Sequence, residues 1–241
     1  MLKNLQNIKF TTKLFVAVVI ITVVSILITS GNAIRMADNG LYSLGQRALQ
    51  DGHQAVYNAL VMCDQNLRKK LDGDLLFFEK ELKSKGEIVL DGENPRQETL
   101  VNQVTKQAIS QKIPEMKSGS GAINGTFDIV DTITSISGAS ATIFQLVDDK
   151  LLRISTTVKK ADGQRATGTY IPSDSPVYKA ILSGETFRGK AFVVNDWYLA
   201  AYSPIRDPGG KIVGALYVGQ LILNPQVREF ITRTKVGGVG Y

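Results

Sequence analysis

Apolar and polar positions divide the chain into stretches of different periodicity. Leu14–Ile28 reads LFVAVVIITVVSILI, an apolar run broken only by Thr22 and Ser25. Extended through Thr29–Ile34, it reaches the roughly 20 residues that a helix needs to cross a bilayer core. From Met36 to Lys85 there is no proline. Apolar residues recur at helical spacing at Val56, Ala59, Leu60, Cys63, Leu67, Leu71, Leu75, Phe78 and Leu82. The spacing predicts a continuous helix roughly 75 Å long, or two helices broken near Gly73. A narrow stripe on so long a helix calls for one partner surface along its length.

Further along, Lys85-Gly86 and Asp91-Gly92-Glu93-Asn94-Pro95 mark turns, and a second helix is expected from Arg96 to about Ser110. Pro114 and Ser118-Gly119-Ser120-Gly121 read as a loop. The pattern then changes to alternation. Ala141–Val147 and Leu151–Val158 read as a hairpin about Asp148-Asp149, and Ala161-Asp162-Gly163 as a turn. Pro176–Leu182 is a short helix, with Ser175 as its N-cap and Gly184 beyond its end. Three more strands follow at Thr186–Val194, Trp197–Ile205 and Lys211–Leu223, the last two joined by Arg206-Asp207-Pro208-Gly209-Gly210. The expected class is α+β: an N-terminal transmembrane helix, a long membrane-proximal helix, and a five-stranded antiparallel sheet with flanking helices.

Charge gives the anchor a direction. Residues 1–13 carry Lys3, Lys9 and Lys13 and no acid. The positive-inside rule keeps them in the cytoplasm, with 14–34 as the transmembrane anchor and everything after Ile34 outside. The same start also fits a cleaved signal peptide, with Ser30-Gly31-Asn32-Ala33 as its small residues. The net charge of +6 comes from basic residues scattered along the chain, which gives no face for nucleic acid.

Chemistry is sparse. The single cysteine, Cys63, and the single histidine, His53, allow no internal disulfide and no zinc site. Cys63 is followed by Asp64 and Gln65, which excludes a haem-attachment motif. On its apolar stripe Cys63 reads as a buried, inert thiol, and His53 as a surface or interface side chain. Ser118 and Ser120 have no histidine near them in sequence, and Asp148-Asp149 suits a turn. No glycine-rich stretch carries the Gly-Lys-Ser/Thr of a phosphate loop. No catalytic residue, metal or cofactor is expected.

Binding chemistry is better represented. Alternation puts Arg153, Ser155 and Thr157 on one strand face. A guanidinium beside hydroxyls suits a carboxylate, because its forked donors match two oxygens. Arg188 and Lys190 share a face of a later strand, Tyr198 and Tyr202 a face of the next, and Phe187 and Trp197 add aromatic surface. These residues suit a pocket for a small carboxylate or amino acid. The alternative is that Arg153 and Arg188 lie on the solvated face, paired with acids on loops.

Several stretches taken in order carry a resemblance: IVDTITSISGASATIFQ (Ile129–Gln145), LLRISTT, TGTYI, GETFRGKAFV and YLAAYSPIRDPGGKIVGALYVGQ. Over roughly residues 35–241 the chain resembles the Cache domains of bacterial chemoreceptors, in the Cache 3–Cache 2 branch, where one unit is followed by a second. The resemblance implies a Cache sensor domain over 35–229, the long N-terminal helix included, whose PAS-like five-stranded sheet binds a small molecule outside the cell. Residues 230–241 look like the opening of a second unit. Family receptors continue into a second transmembrane helix and a cytoplasmic coiled coil, so the chain reads as a fragment of a longer receptor or a truncated product. The implied function is the extracytoplasmic sensor of a chemoreceptor in the inner membrane, with the sensor in the periplasm or outside the cell. It would be a homodimer through the long helix. A kinase or cyclase receptor is a variant, and a ligand-free, membrane-anchored interaction domain is the rival.

Overall fold

The computed structural model describes residues 10–119 and 121–222. The first residues of the expected cytoplasmic stretch, Ser120 of the expected loop and the second-unit opening at 230–241 lie outside the described residues. The chain divides into two compact units, Met1–Cys63 and Asp64–Tyr241.

Helix α1 is Phe10–Ser84 and runs through Gly73 without a break. It contains a stretch long and apolar enough to cross a membrane, none of it buried within the protein. Val56, Leu60 and Cys63 are exposed as well. The buried thiol expected at Cys63 is therefore corrected: within one chain, the apolar stripe finds cover only from Leu67 onward.

In the second unit the chain forms β1 (Ile88–Asn102), β2 (Ala108–Ser118), β3 (Gly121–Ala122), α2 (Asp128–Ser137), β4 (Ser140–Val147) and β5 (Lys150–Thr156). It continues through β6 (Thr169–Pro172), α3 (Pro176–Leu182), β7 (Phe187–Val193), β8 (Asp196–Arg206) and β9 (Ile212–Leu221). The strands make one nine-stranded sheet in the order β3-β2-β1-β6-β5-β4-β9-β8-β7. The five strands expected from alternation are its β5-β4-β9-β8-β7 portion, antiparallel throughout. The five-stranded antiparallel sheet is thus corrected to a larger, mixed one. The other strands extend it beyond β5, and β1 joins β6 in parallel at Val101–Thr169 and Asn102–Tyr170.

The helix expected at Arg96–Ser110 is a hairpin. Leu100, Val101, Val104 and Ala108 imitate a helical stripe, but the local chemistry at Asn102 overrides them. Its Oδ1 accepts from the amides of Val104 and Thr105 at 2.8 and 3.2 Å, an Asx turn that competes with the helix. Lys106 then takes a left-handed φ of 62° and reverses the chain. The turn expected at Asp91–Pro95 is a bulge within β1. Asp91 pairs with Glu115 and Arg96 with Ile113, so Gly92–Pro95 bulge out opposite Pro114. Pro114, expected in a loop, is tolerated in β2 because a bulge needs no amide from it. Helix α2 is an addition to the elements expected from the pattern. Asp128 and Asp131 sit in its first turn, where the helix dipole favours acids, and Gly138 closes it at a φ of 70°.

Both faces of the central strands β4, β5 and β9 are covered. On one, Leu71, Leu75, Phe78 and Leu82 of α1 and Val130 and Ile133 of α2 pack on Leu100, Ile143, Leu152 and Leu216. On the other, Val177 and Ile181 of α3 pack on Leu151, Ile171 and Ala200, beside Phe144, Tyr202 and Tyr217. Phe78 is fully buried, and Phe78→Ala is expected to cost about 3–5 kcal/mol in chemical denaturation. Gly214→Ala should be comparably damaging, because a Cβ there would collide with the Phe144 carbonyl oxygen across the β4–β9 pair. Leu60→Ala, on the uncovered part of α1, should change the stability of the single chain by less than about 0.5 kcal/mol.

Candidate functional site

A cavity of about 340 Å³ opens between β7–β8, α3 and the β1–β2 loop. Its walls include Phe187 and Tyr202 from the sheet, Ile171 from β6, Val177 from α3, and Gln103 and Val104 from the loop. The local sequence fixes α3 at its edge: Ser175 Oγ accepts from the Val177 amide at 3.2 Å, and Pro176 takes the first helical position. The size lies within the range of small-ligand sites. A second hollow of about 290 Å³ lies beside Lys83, Glu87, Arg206 and Asp207. No buried polar atom without a partner accompanies it among the described residues.

The cavity is backed by an aromatic layer. The Tyr202 ring stands 4.9 Å from Tyr217, 5.9 Å from Phe187 and 6.1 Å from Phe144. Behind Gln103 and Tyr202 lies Arg153, with no exposed surface. Its guanidinium sits 4.8 Å from the Phe144 ring. Nη1 donates to Thr169 Oγ1, and Nη2 donates to Gln103 Oε1 at 3.5 Å. Nε has no partner. Among the described residues no carboxylate pairs with Arg153. Burial pushes its pKa down to about 10, so the side chain keeps its charge at neutral pH. The same burial raises the pKa of Tyr202 and Tyr217, against a smaller pull from Arg153. The phenols therefore stay neutral and supply no counter-charge. A buried cation held only by neutral acceptors is costly to keep.

The expected site residues divide between the two faces. Arg153 pairs with Phe144 across β4–β5, but Ser155 pairs with Ile143, so Ile154 forms a bulge. That extra residue breaks the alternation that would have put Arg153, Ser155 and Thr157 together. Ser155 Oγ instead donates to the Thr126 carbonyl at 2.5 Å, and Thr157 shares a hydrogen bond of 2.9 Å with Thr134 of α2. Both hydroxyls lie on the helix side, away from Arg153.

Arg188 and Lys190 share a face, as alternation requires, but it is again the helix side, since they pair with Ala201 and Leu199 of that core. Arg188 is exposed and donates to Asp72 of α1 at 2.5 Å. Lys190 reaches the cavity rim, while its charge lowers the Asp64 pKa from α1, behind the larger effect of Arg68. Arg188 thus matches the solvated alternative and Arg153 does not. Tyr198, half-buried, and Tyr202 share the cavity face with Phe187. Trp197 is 57% exposed at the rim, its ring 5.7 Å from Phe192.

Four neighbours of Arg153 lie outside the expected set: Gln103, Thr169, Phe144 and Tyr217. Gln103 is hidden in the stretch that reads as a helix. Thr169 stands in the TGTYI stretch, whose short strand alternation does not reveal. Phe144 and Tyr217 are legible as strand residues, but not as neighbours of a charge.

A family model described as a Cache 3/Cache 2 fusion domain matches residues 35–241. No curated protein matches the chain.

The uncompensated charge predicts an unusual stability effect. Arg153→Met keeps the volume and removes the charge, and should leave stability unchanged or raise it by about 1–4 kcal/mol in chemical denaturation without ligand. A loss above about 2 kcal/mol would mean that the charge is balanced by a group not identified around it.

Proposed function

The chain belongs to the Cache 3/Cache 2 fusion family, and from that membership we propose that it is the extracytoplasmic ligand-sensing part of a transmembrane chemoreceptor. Cache domains are sensory, non-catalytic modules that bind small molecules. The apolar stretch of α1 is consistent with a single membrane crossing. With the lysines that precede it, it supports an anchor in the inner membrane with the sensor outside the cytoplasm. The same sensor would serve equally in a kinase or cyclase receptor.

The ligand is a small organic acid or amino acid. One observation carries this reading: Arg153 is a fully buried guanidinium without a carboxylate partner among the described residues, one side chain (Gln103) behind the wall of a cavity of about 340 Å³. An anion bound there would supply the missing counter-charge, in surroundings where charge-assisted hydrogen bonds are strong. Phe187 and Tyr202 would hold the apolar part of the ligand, with Lys190, Trp197 and Tyr198 at or near the rim. Ser155, Thr157 and Arg188 are left to structural roles. A ligand-free interaction domain would have no use for the unpaired charge.

Strands β7 and β8 give such a ligand a route to the helix. Phe187 faces the cavity and its neighbour Arg188 holds Asp72 of α1; Tyr202 faces the cavity and its neighbour Ser203 donates to Glu79 of α1 at 2.5 Å. A ligand that moves these strands changes the grip on the α1 segment from Leu67 to Leu82. It signals only in so far as it binds two positions of that segment with different affinity.

Homodimerisation through α1 belongs to the same reading, since Val56, Leu60 and Cys63 form a stripe left uncovered in the single chain.

A thermal-shift screen of the full chain in detergent against organic acids and amino acids tests the ligand. A true ligand at 100 times its dissociation constant should add about 2.7 kcal/mol. For the ligand found, Arg153→Ala should weaken calorimetric binding by about tenfold or more. Arg153→Lys should restore only part, because an ammonium cannot reproduce the fork. Affinity unchanged in Arg153→Ala would remove Arg153 from the site. For the dimer, mild oxidation should link the two Cys63 thiols of a parallel pair, giving a double-mass species on a non-reducing gel that is absent in Cys63→Ser.

A further inference from the structure

The cavity and Arg153 do not touch directly. Gln103 stands between them: it lines the cavity and is 6% exposed, and its Oε1 accepts a hydrogen bond from Nη2 of Arg153. That hydrogen bond is 3.5 Å long, at the outer limit, whereas a carboxylate would accept from a guanidinium at about 2.7–2.9 Å. Gln103 is therefore a poor acceptor in the place where a charged one would be strong. Nε, beside it, has no acceptor. Thr169 Oγ1, the acceptor for Nη1, already spends its own proton on the Ala166 carbonyl at 2.7 Å.

The same residue fastens a loop across the cavity mouth. Gln103 Nε2 donates to the Phe192 carbonyl at 3.4 Å, another long bond. Lys106 Nζ donates to the Gln103 carbonyl at 2.7 Å and to the Val194 carbonyl at 3.1 Å. The β1–β2 loop is thereby strapped to the β7–β8 turn. Both ends of the strap are conformationally costly, since Lys106 and Val194 each hold a φ of 62°. For a β-branched residue such as Val194 this is an outlier.

We propose that the Gln103 side-chain amide is a built-in stand-in for a ligand carboxylate on Arg153, and that an entering carboxylate displaces it, breaks its bond to the Phe192 carbonyl and so loosens the strap, which Lys106 still holds. This rests on the reading of the cavity as a carboxylate site. It adds that in the unliganded state a neutral mimic of the ligand occupies the Arg153 end of the site. The exchange is favourable because a neutral acceptor at long range gives way to an anionic one at short range, while the freed amide turns to water. Gln103 is a positioning residue for the loop and a competitor for the site.

Gln103→Glu and Gln103→Ala in the full chain in detergent micelles test this, with acetate as the probe. The reporter is the fluorescence of Trp197, the chain's single tryptophan, which lines the cavity. The Gln103→Glu substitution would place a permanent carboxylate on Arg153, so this variant should melt above wild type at pH 8. A carboxylate paired with a cation has a lowered folded pKa. The gain is therefore present above the unfolded value near 4.3 and is lost as pH falls through the folded value.

In the acetate titration, Gln103→Glu should need more than about tenfold more acetate than wild type. Gln103→Ala, with no competitor, should respond at about threefold lower acetate or less. The proposal is overturned if Gln103→Glu melts below wild type. It is equally overturned if Gln103→Ala weakens the acetate response, which would make Gln103 a ligand contact and not a competitor. A wild-type protein blind to acetate, with Gln103→Glu still melting higher, would instead count against the carboxylate reading of the cavity. The match of the introduced carboxylate to Arg153 would then stand.

Discussion

The central strands of the sheet, β4, β5 and β9, are covered on both faces, and much else in the second unit answers to that constraint. These strands cannot send polar side chains to solvent, so each must be partnered inside or replaced by an apolar residue. The rule is kept closely. Thr142 and Thr156 bond each other at 2.6 Å, and Gln145 reaches Asn124 and the Pro114 carbonyl. Arg153 is the exception: a charge where the surroundings tolerate only neutral, paired groups. It is the reason to read a function into the fold.

Much of the architecture is legible because it follows from short-range patterns. Strands β4, β5, β7, β8 and β9 stand out as short, largely apolar runs bounded by turn residues, and α3 announces itself through Ser175, Pro176 and Gly184. The β1–β2 hairpin is not legible, because Leu100, Val101, Val104 and Ala108 fit a helix and only the Asx turn at Asn102 decides otherwise. The site suffers from a subtler fault. Arg153 and Tyr202 are identifiable as a cation and an aromatic on apolar strands, but counting in twos assigns Ser155 and Thr157 to the face of Arg153. One bulged residue, Ile154, changes the parity of everything after it. Parity fails silently, since the composition of the strand stays the same.

Alternation on strands packed from both sides explains why cavity and helix share them. Side chains alternate along β7 and β8, so a residue that lines the cavity has neighbours that face α1. Phe187 beside Arg188 and Tyr202 beside Ser203 are the two places where this juxtaposition carries polar contacts. The sheet itself is the connection, and no separate linking element is required. A movement too small to disturb the backbone ladder can still change the fit on the far face, because close-packed cores favour discrete arrangements over continuous yielding.

The position of β9 has a consequence for biogenesis. It is the last of the described strands in the chain, yet it lies between β4 and β8, with Phe144 opposite Ala215 and Tyr202 opposite Tyr217. A chain made from its N-terminus reaches β9 only after both neighbours exist, each with an open edge. Until then, the β6-β5-β4 group and the β7–β8 hairpin are two half-sheets with unpaired backbone groups, which are templates for wrong partners. Of the closing pairs, β8–β9 is a local hairpin, but β4–β9 joins Phe144 to Ala215, far apart in sequence, so closing the sheet carries a loop-closure cost and should be slow. Chaperone demand and aggregation risk during synthesis therefore concentrate in the interval between the emergence of β4 and the arrival of β9.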